Sequence, residues 1–415
     1  MVLSANLPIP RANPNWHVSM EGASGLAEPL AAALCAQWAF GFPRVPRPAA
    51  QLTHGFYQYP AGMQAVAAVN LLKTMPPGVL LDPFVGGGTT LIEGMRCGWK
   101  TIGADVSPLA LFATTHHTWL MSEEELASMR EQAVAIISAV DPSYDVQLAR
   151  PTPGAGVDDV AGEVQALSPK PRLQRQAKHA GSRREGATTW RSWEPLRAEL
   201  ERVVAAADAS VSGGGVLTTS SPTARSPLWF CYAAAQQRSA RFRLASPLAS
   251  FEHTVSSYID AVCKLRRSVP DGAAEASLVL ADARQLSLER LGLPLADAVV
   301  TSPPYAGVYD YLSHARQSRA SLGVQGDAPL MGLTGTPEGR GDWPESWRSD
   351  LEIGARKALR KTRVKGAFAK AWERDQDAWL TSVRSNLRTG GRAALLVGDG
   401  ESIDALVSTA AAAER

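Results

Sequence analysis

The chain has 415 residues, 45% of them hydrophobic, and a formal net charge of +2. That length suffices for one large domain or two to three ordinary ones, with enough apolar residues for a sizeable core. So small a net charge excludes a uniformly basic nucleic-acid binder and leaves any such surface to local clusters.

The four cysteines, Cys35, Cys97, Cys231 and Cys263, are too far apart for a zinc knuckle. They read as buried thiols of a reducing, intracellular compartment. No apolar run reaches the length of a bilayer span, and the first residues lack the basic-then-apolar layout of a secretory signal.

Residues 1–50 are rich in Pro and Ala and form an N-terminal extension, with helical spacing over 26–40. Residues 51–120 read as α/β: a helix over 64–73, a strand over 79–81, a glycine loop and a helix over 89–97. A second strand over 100–104 ends at Asp105. Strand, glycine turn, helix, strand opens a doubly wound, mostly parallel sheet.

Residues 121–276 interrupt this pattern as an insertion between the second and third strands. Ser122 and Glu125 predict a capping box at the head of a helix running to residue 140. Residues 141–226 have the Pro, Gly, Ser, Ala and Arg content of partly disordered chain, with one helix over 194–206. Further on, Phe251, Val255, Tyr258, Ile259, Val262 and Leu265 recur at helical spacing.

The α/β pattern resumes over 277–415. A strand over 278–280 leads to Asp282. Another over 296–300 runs into Thr301-Ser302-Pro303-Pro304-Tyr305. A helix over 379–387, closed by Thr389-Gly390-Gly391, precedes a strand over 392–397 and a last helix over 403–413.

The chemistry gathers at the strand ends, where doubly wound sheets bind ligands. Gly86, Gly87 and Gly88 allow positive φ and close backbone approach. No Lys follows them, so this is not a phosphate-binding Walker loop, and the GxGxxG spacing of dinucleotide sites is absent. Asp82, just before the loop, repels an anion and suits a cationic or amine-bearing ligand. Asp105 stands where an acid accepts bonds from two ribose hydroxyls, and Asp282 where it faces an adenine amine. The Ser-Pro-Pro-Tyr tip offers two fixed φ angles, a short polar group and a stacking face.

Three basic runs are candidates for phosphate contact: Lys170 to Arg184 beside Trp190 and Trp193, the arginines 238, 241 and 243 around Phe242, and Arg356 to Lys365. The last follows the Ser-Pro-Pro-Tyr tip in the same half of the chain. Adjacent His116 and His117 point apart on any regular element, which favours packing over metal binding.

Asp82-Pro83-Phe84-x-Gly86-x-Gly88-Thr89-Thr90 resembles motif I of S-adenosylmethionine-dependent amino-methyltransferases acting on DNA. Thr301-Ser302-Pro303-Pro304-Tyr305 resembles their motif IV, in the serine form of the cytosine-N4 branch. Tyr59-Pro60-Ala61 resembles their motif X. Ile102 to Ala110 resembles the segment after motif I, and Tyr309-Asp310-Tyr311-Leu312 also fits. The motif order is the unpermuted one.

The resemblance implies a Rossmann-like α/β fold and S-adenosyl-L-methionine as cofactor, contacted by Tyr59, Asp82, Pro83, Phe84, Gly86, Gly88, Thr89, Asp105 and Asp282. It implies DNA as partner, with the target base flipped out, and Ser302, Pro303, Pro304 and Tyr305 as the catalytic tip. The Ser302 hydroxyl and Pro303 carbonyl would accept the amine's N–H bonds, Tyr305 would stack on the base, and no metal is needed. The insertion is then the candidate target-recognition region. Two features depart from the family: Gly87 replaces a usual Ser, and a β-hairpin is expected after the 392–397 strand where this sequence has one more helix. Adenine N6 in DNA and a base amine in RNA stay open as substrates, as does an inactive fold that only binds nucleic acid.

Overall fold

The computed structural model describes residues 29–34, 52–57, 59, 62–148, 192–208, 226–242, 246–311, 352–356, 359, 366–398 and 403–414. The basic run 170–184, Trp190, Pro60, Ala61, Arg243, Leu312 and most of the 356–365 run lie outside the described residues.

The described chain is α/β. Its sheet comprises β1 (Val79–Asp82), β2 (Lys100–Asp105), β3 (Ser277–Leu280), β4 (Ala296–Thr301) and β5 (Leu387–Leu395). Their order is β3-β2-β1-β4-β5, and every pairing is parallel. The chain starts at the centre, steps outward to β3, and returns across β1 to β4. The β1–β4 boundary is therefore the topological switch point, where parallel sheets open a ligand crevice at their carboxyl ends.

Helices cover both faces, as a parallel sheet requires. They are α1 (Ala65–Leu72), α2 (Thr89–Arg96), α3 (Pro108–Thr118), α4 (Glu123–Val140), α5 (Glu194–Asp208), α6 (Pro227–Phe242), α7 (Pro247–Ser268), α8 (Ala367–Asn386) and α9 (Ala405–Glu414). Side chains alternate across β1 and β4 with the strand period of two. Leu80, Ala298 and Val300 pack beneath Ala67, Ala68 and Leu71 of α1. Val79, Leu81 and Val299 pack against Phe368, Trp372 and Trp379 of α8. None of the described helices is long and apolar enough to cross a membrane.

Local sequence rules place several of these elements. Ser122 accepts from the Glu125 backbone at 3.1 Å and Glu125 returns a bond to Ser122 N–H at 2.7 Å, the capping box expected for α4. All six apolar residues expected on one helical face near 251–265 are buried on α7. The expected strand over 278–280 is β3.

Two local readings need correction. Helix α3 was not expected, although Ser107 caps it and Pro108 sits at its first position, both ordinary start signals. Thr389-Gly390-Gly391 does not stop a helix: α8 ends at Asn386 and runs straight into β5. The register jumps there, with Ala296 opposite Leu387 but Ala298 opposite Arg392. Gly390, at φ 80°, supplies the positive φ of this bulge.

The described helices of the 121–276 stretch share one apolar core with the loop after β1, α2 and α3, through Val85, Leu91, Leu109 and Phe112. Phe230 of α6 is its hub. It is fully buried and stacks on His116 at 4.7 Å and Phe56 at 5.4 Å, with Tyr258 edge-on at 5.4 Å. Phe230→Ala removes the partner of all three rings and is expected to cost about 3–5 kcal/mol. A fall in the denaturation midpoint with unchanged slope checks this; a midpoint within experimental error contradicts it.

Candidate active site

A cleft enclosing about 880 Å³ of non-atom space opens at the carboxyl ends of β1, β2 and β4. Tyr59, Asp82, Pro83, Phe84, Gly86 and Thr89 line it, together with Asp105, Asp282, Ser302 and Pro304. The two sequence motifs, more than two hundred residues apart, thus face one cavity.

Beyond the β1–β4 pairing, a side-chain hydrogen bond joins them. The fully buried Thr301 hydroxyl donates to Asp82 Oδ1 at 2.6 Å, and the Phe84 N–H reaches the same oxygen at 3.1 Å. Burial pushes the Asp82 carboxyl up to about 6 against these bonds, which pull it down. Thr301 therefore latches the tip of β4 to the tip of β1.

The glycine loop is held from outside its own sequence. Asp105 Oδ2 accepts from the Gly86 N–H at 3.0 Å, and its Oδ1 accepts from the Ser107 N–H at 2.8 Å. Thr114 Oγ1 donates to the Gly86 carbonyl at 2.9 Å. His117 Nδ1 lies 2.7 Å from the Gly87 carbonyl, and its Nε2 accepts from the Tyr57 N–H at 3.3 Å. Those two partners fix the neutral tautomer with its proton on Nδ1. Burial lowers His117 to about 4, so it stays neutral. His117 is thus a packed clip on the loop, and its neighbour His116 lies against Phe230.

Gly86 and Gly88 have φ of 51° and 81°. The Tyr59 ring lies over Gly86, whose added Cβ would meet it at 3.3 Å. Burial and the nearby Asp105 carboxyl push the Tyr59 phenol well up. On the far side, Phe84 meets Trp379 of α8 edge-on at 5.3 Å.

Asp282 is not a free acid. Both its oxygens take bonds from Arg284, the shortest at 2.6 Å, and Arg284 also reaches Asp375 at 2.9 Å. This fork ties the end of β3 to α8. Neither Arg284 nor Asp375 is visible as a site residue in sequence, because their pairing spans ninety-one positions.

At the Ser-Pro-Pro-Tyr tip, Pro303 is buried while Ser302 and Pro304 face the cleft. Ser302 Oγ donates to the Leu396 carbonyl at 3.0 Å and stands 3.1 Å from the Tyr305 hydroxyl. The Tyr305 ring packs against Gly398. It is Tyr311 that contributes an aromatic side chain to the cleft wall beside Ser302, with Tyr309 between the two rings.

Asp105 bears a directly testable charge. Burial, reinforced by Asp82, pushes its carboxyl up to about 6 against the bonds from Ser107 and Gly86. It is ionised above that pH and protonated below it, where it loses acceptor capacity. Affinity for a ligand that donates to Asp105 is expected to fall as pH drops through 6, by up to about tenfold per pH unit. Calorimetric titration of S-adenosylmethionine from pH 8 to pH 5 checks this; flat affinity removes Asp105 from the ligand contacts. The sign for folding is opposite. An acid raised in the folded state contributes most below its unfolded value, about 4, and that contribution is lost as pH rises through about 6.

A stretch of 65 residues is 38% identical to the type II methyltransferase M.MvaI of Kocuria varians. The matched part covers 14% of this chain and 14% of that protein. No family profile matches the chain, and no solved structure does.

Proposed function

We propose that this protein transfers a methyl group from S-adenosyl-L-methionine to the exocyclic N4 amine of cytosine in DNA. The observation that carries the reading is the shared cleft: a glycine loop with acids at strand ends faces a Ser-Pro-Pro-Tyr tip. The stretch shared with a type II methyltransferase supports the same chemistry.

The chain's own residues fit the cofactor. Gly86 brings bare backbone beneath Tyr59 where a Cβ would press on the ring. Asp105 accepts backbone bonds from Gly86, Ser107 and Val106, and its two oxygens together keep a lone pair for a ribose hydroxyl. Asp282, oriented by Arg284, presents its edge towards an adenine amine. S-adenosylmethionine bound here would supply a methyl group on a sulfonium; the amine nitrogen would take the methyl in line, the S–CH3 bond pair would stay on sulfur as a neutral thioether, and the surplus proton on nitrogen would pass to solvent.

The tip addresses the weak nucleophile. The lone pair of an aromatic amine is delocalised into its ring. Ser302 Oγ and the Pro303 carbonyl accept its N–H bonds, drawing the nitrogen towards sp³ and localising that pair. Positioning supplies most of the rate. The target base must leave the duplex to reach this depth, and an aromatic ring at the cleft mouth receives it. Serine at position 302 is the feature that favours cytosine over adenine.

The test supplies labelled S-adenosylmethionine with unmethylated genomic DNA, and in parallel with RNA. Label in DNA that hydrolyses to N4-methylcytosine supports the reading. Label in RNA alone, or calorimetry that detects no cofactor binding, overturns it.

A further inference from the structure

We propose that Gly398, beyond the end of β5, is a positioning residue of the catalytic tip: its missing side chain is the seat of the Tyr305 ring. The inference rests on the methyl-transfer reading above.

A Cβ added at Gly398 would stand 2.8 Å from Cγ, Cδ1 and Cδ2 of Tyr305. The ring therefore lies flat on the glycine Cα. Gly398 is not among the residues with positive φ, so the position needs glycine for space and not for backbone conformation. The ring has no easy retreat. Its root is fixed between Pro304 and the buried Ala306, and its hydroxyl is bonded to Ser302.

The seat acts on Ser302 through hydrogen-bond polarity. A serine hydroxyl has one proton and two lone pairs. The proton goes to the Leu396 carbonyl. The Tyr305 hydroxyl, 3.1 Å away, must then donate into one lone pair. The other remains for the substrate, so Ser302 meets an amine as an acceptor only. Residues 396–398 hold both ends of this arrangement. The Leu396 N–H continues the β4–β5 ladder by bonding to the Thr301 carbonyl at 2.9 Å, its own carbonyl orients Ser302, and Gly398 seats Tyr305.

Displacing the ring withdraws the Tyr305 hydroxyl from Ser302, which leaves the serine hydroxyl held by the Leu396 carbonyl alone and free to rotate off it and present its proton to the amine, without touching the glycine loop. The expected result for Gly398→Ala is a fall in kcat of about 10- to 100-fold. Affinity for S-adenosylmethionine stays unchanged by calorimetry. Tyr305→Phe, which keeps the ring and removes only the hydroxyl, lowers kcat in the same way with an intact seat.

The decisive arm is a double-mutant cycle on unmethylated genomic DNA. If Gly398 acts through Tyr305, Gly398→Ala costs nothing further in a Tyr305→Ala background. An equal loss in both backgrounds, or full activity of Gly398→Ala, overturns the seat while leaving the methyltransferase reading intact. An inactive wild-type protein overturns that reading itself, and with it any role of Gly398 in transfer.

Discussion

Ser302→Ala is expected to lower methyl transfer by on the order of 10²-fold or more while leaving S-adenosylmethionine affinity nearly unchanged. The substitution deletes the side-chain acceptor proposed for the target amine. It does not reach the glycine loop or Asp105, the proposed cofactor end of the cleft. It also strips the Leu396 carbonyl and the Tyr305 hydroxyl of a shared partner. That loss costs about 1–3 kcal/mol of stability, an effect separable from catalysis by denaturation. The discriminating pattern is a fallen kcat beside an intact cofactor Kd, both measured on the same folded preparation. Wild-type turnover from Ser302→Ala would remove this hydroxyl from the mechanism.

The second large effect is expected at the other motif. Gly88 stands at φ 81°, and a Cβ there would meet Thr114 Cγ2 at 2.7 Å. Gly88→Ala therefore adds left-handed strain of about 1–2 kcal/mol and overpacking of about 1–3 kcal/mol. Thr114 cannot yield freely, because it is fully buried and its hydroxyl clips the Gly86 carbonyl. The loop must shift, and even about 2 kcal/mol of that strain weakens the cofactor Kd about thirtyfold. Gly87 is the internal control. Its φ is not positive, and an added Cβ would meet only the Tyr59 Cβ, at 3.3 Å. Gly87→Ser, the side chain usual in the motif this loop resembles, is expected to hold Kd within about threefold. Calorimetry on the three proteins decides the matter; equal behaviour of Gly88→Ala and wild type contradicts the role given to the loop.

What sequence reveals here is what short-range rules govern. The Ser122–Glu125 box, the apolar face of α7 and the glycine loop all depend on residues within a turn or two of each other. The order of elements was legible too, because a strand, a glycine turn and a helix leave a periodic imprint. Asp82, Asp105 and Asp282, expected at the ends of strands, all line the cleft.

The remainder lies in pairings that no local pattern records. Thr301 bonds Asp82 across two hundred and nineteen positions, and Arg284 bridges Asp282 to Asp375. His117 clips the glycine loop from thirty positions away, so its value is invisible beside an adjacent histidine that merely packs. The Thr389-Gly390-Gly391 segment reads as a helix stop because glycines commonly end helices. Only the sheet register shows it to be a bulge inside β5. Gly398 was missed for the same reason, since an absent side chain has meaning only beside the ring that fills its space. Tyr305 and Tyr311 exchange emphasis likewise: sequence favours the ring next to the prolines, while the cleft wall is lined by the later one.

The proposed product of this cleft is N4-methylcytosine in DNA. The most direct measurement is mass spectrometry of nucleosides from the DNA and RNA of a host that lacks this base and expresses either wild-type protein or Ser302→Ala. N4-methylcytosine is expected in the DNA of the wild-type strain and is lost with Ser302→Ala. N6-methyladenine in its place, a methylated base confined to RNA, or no new nucleoside in either strain would contradict it.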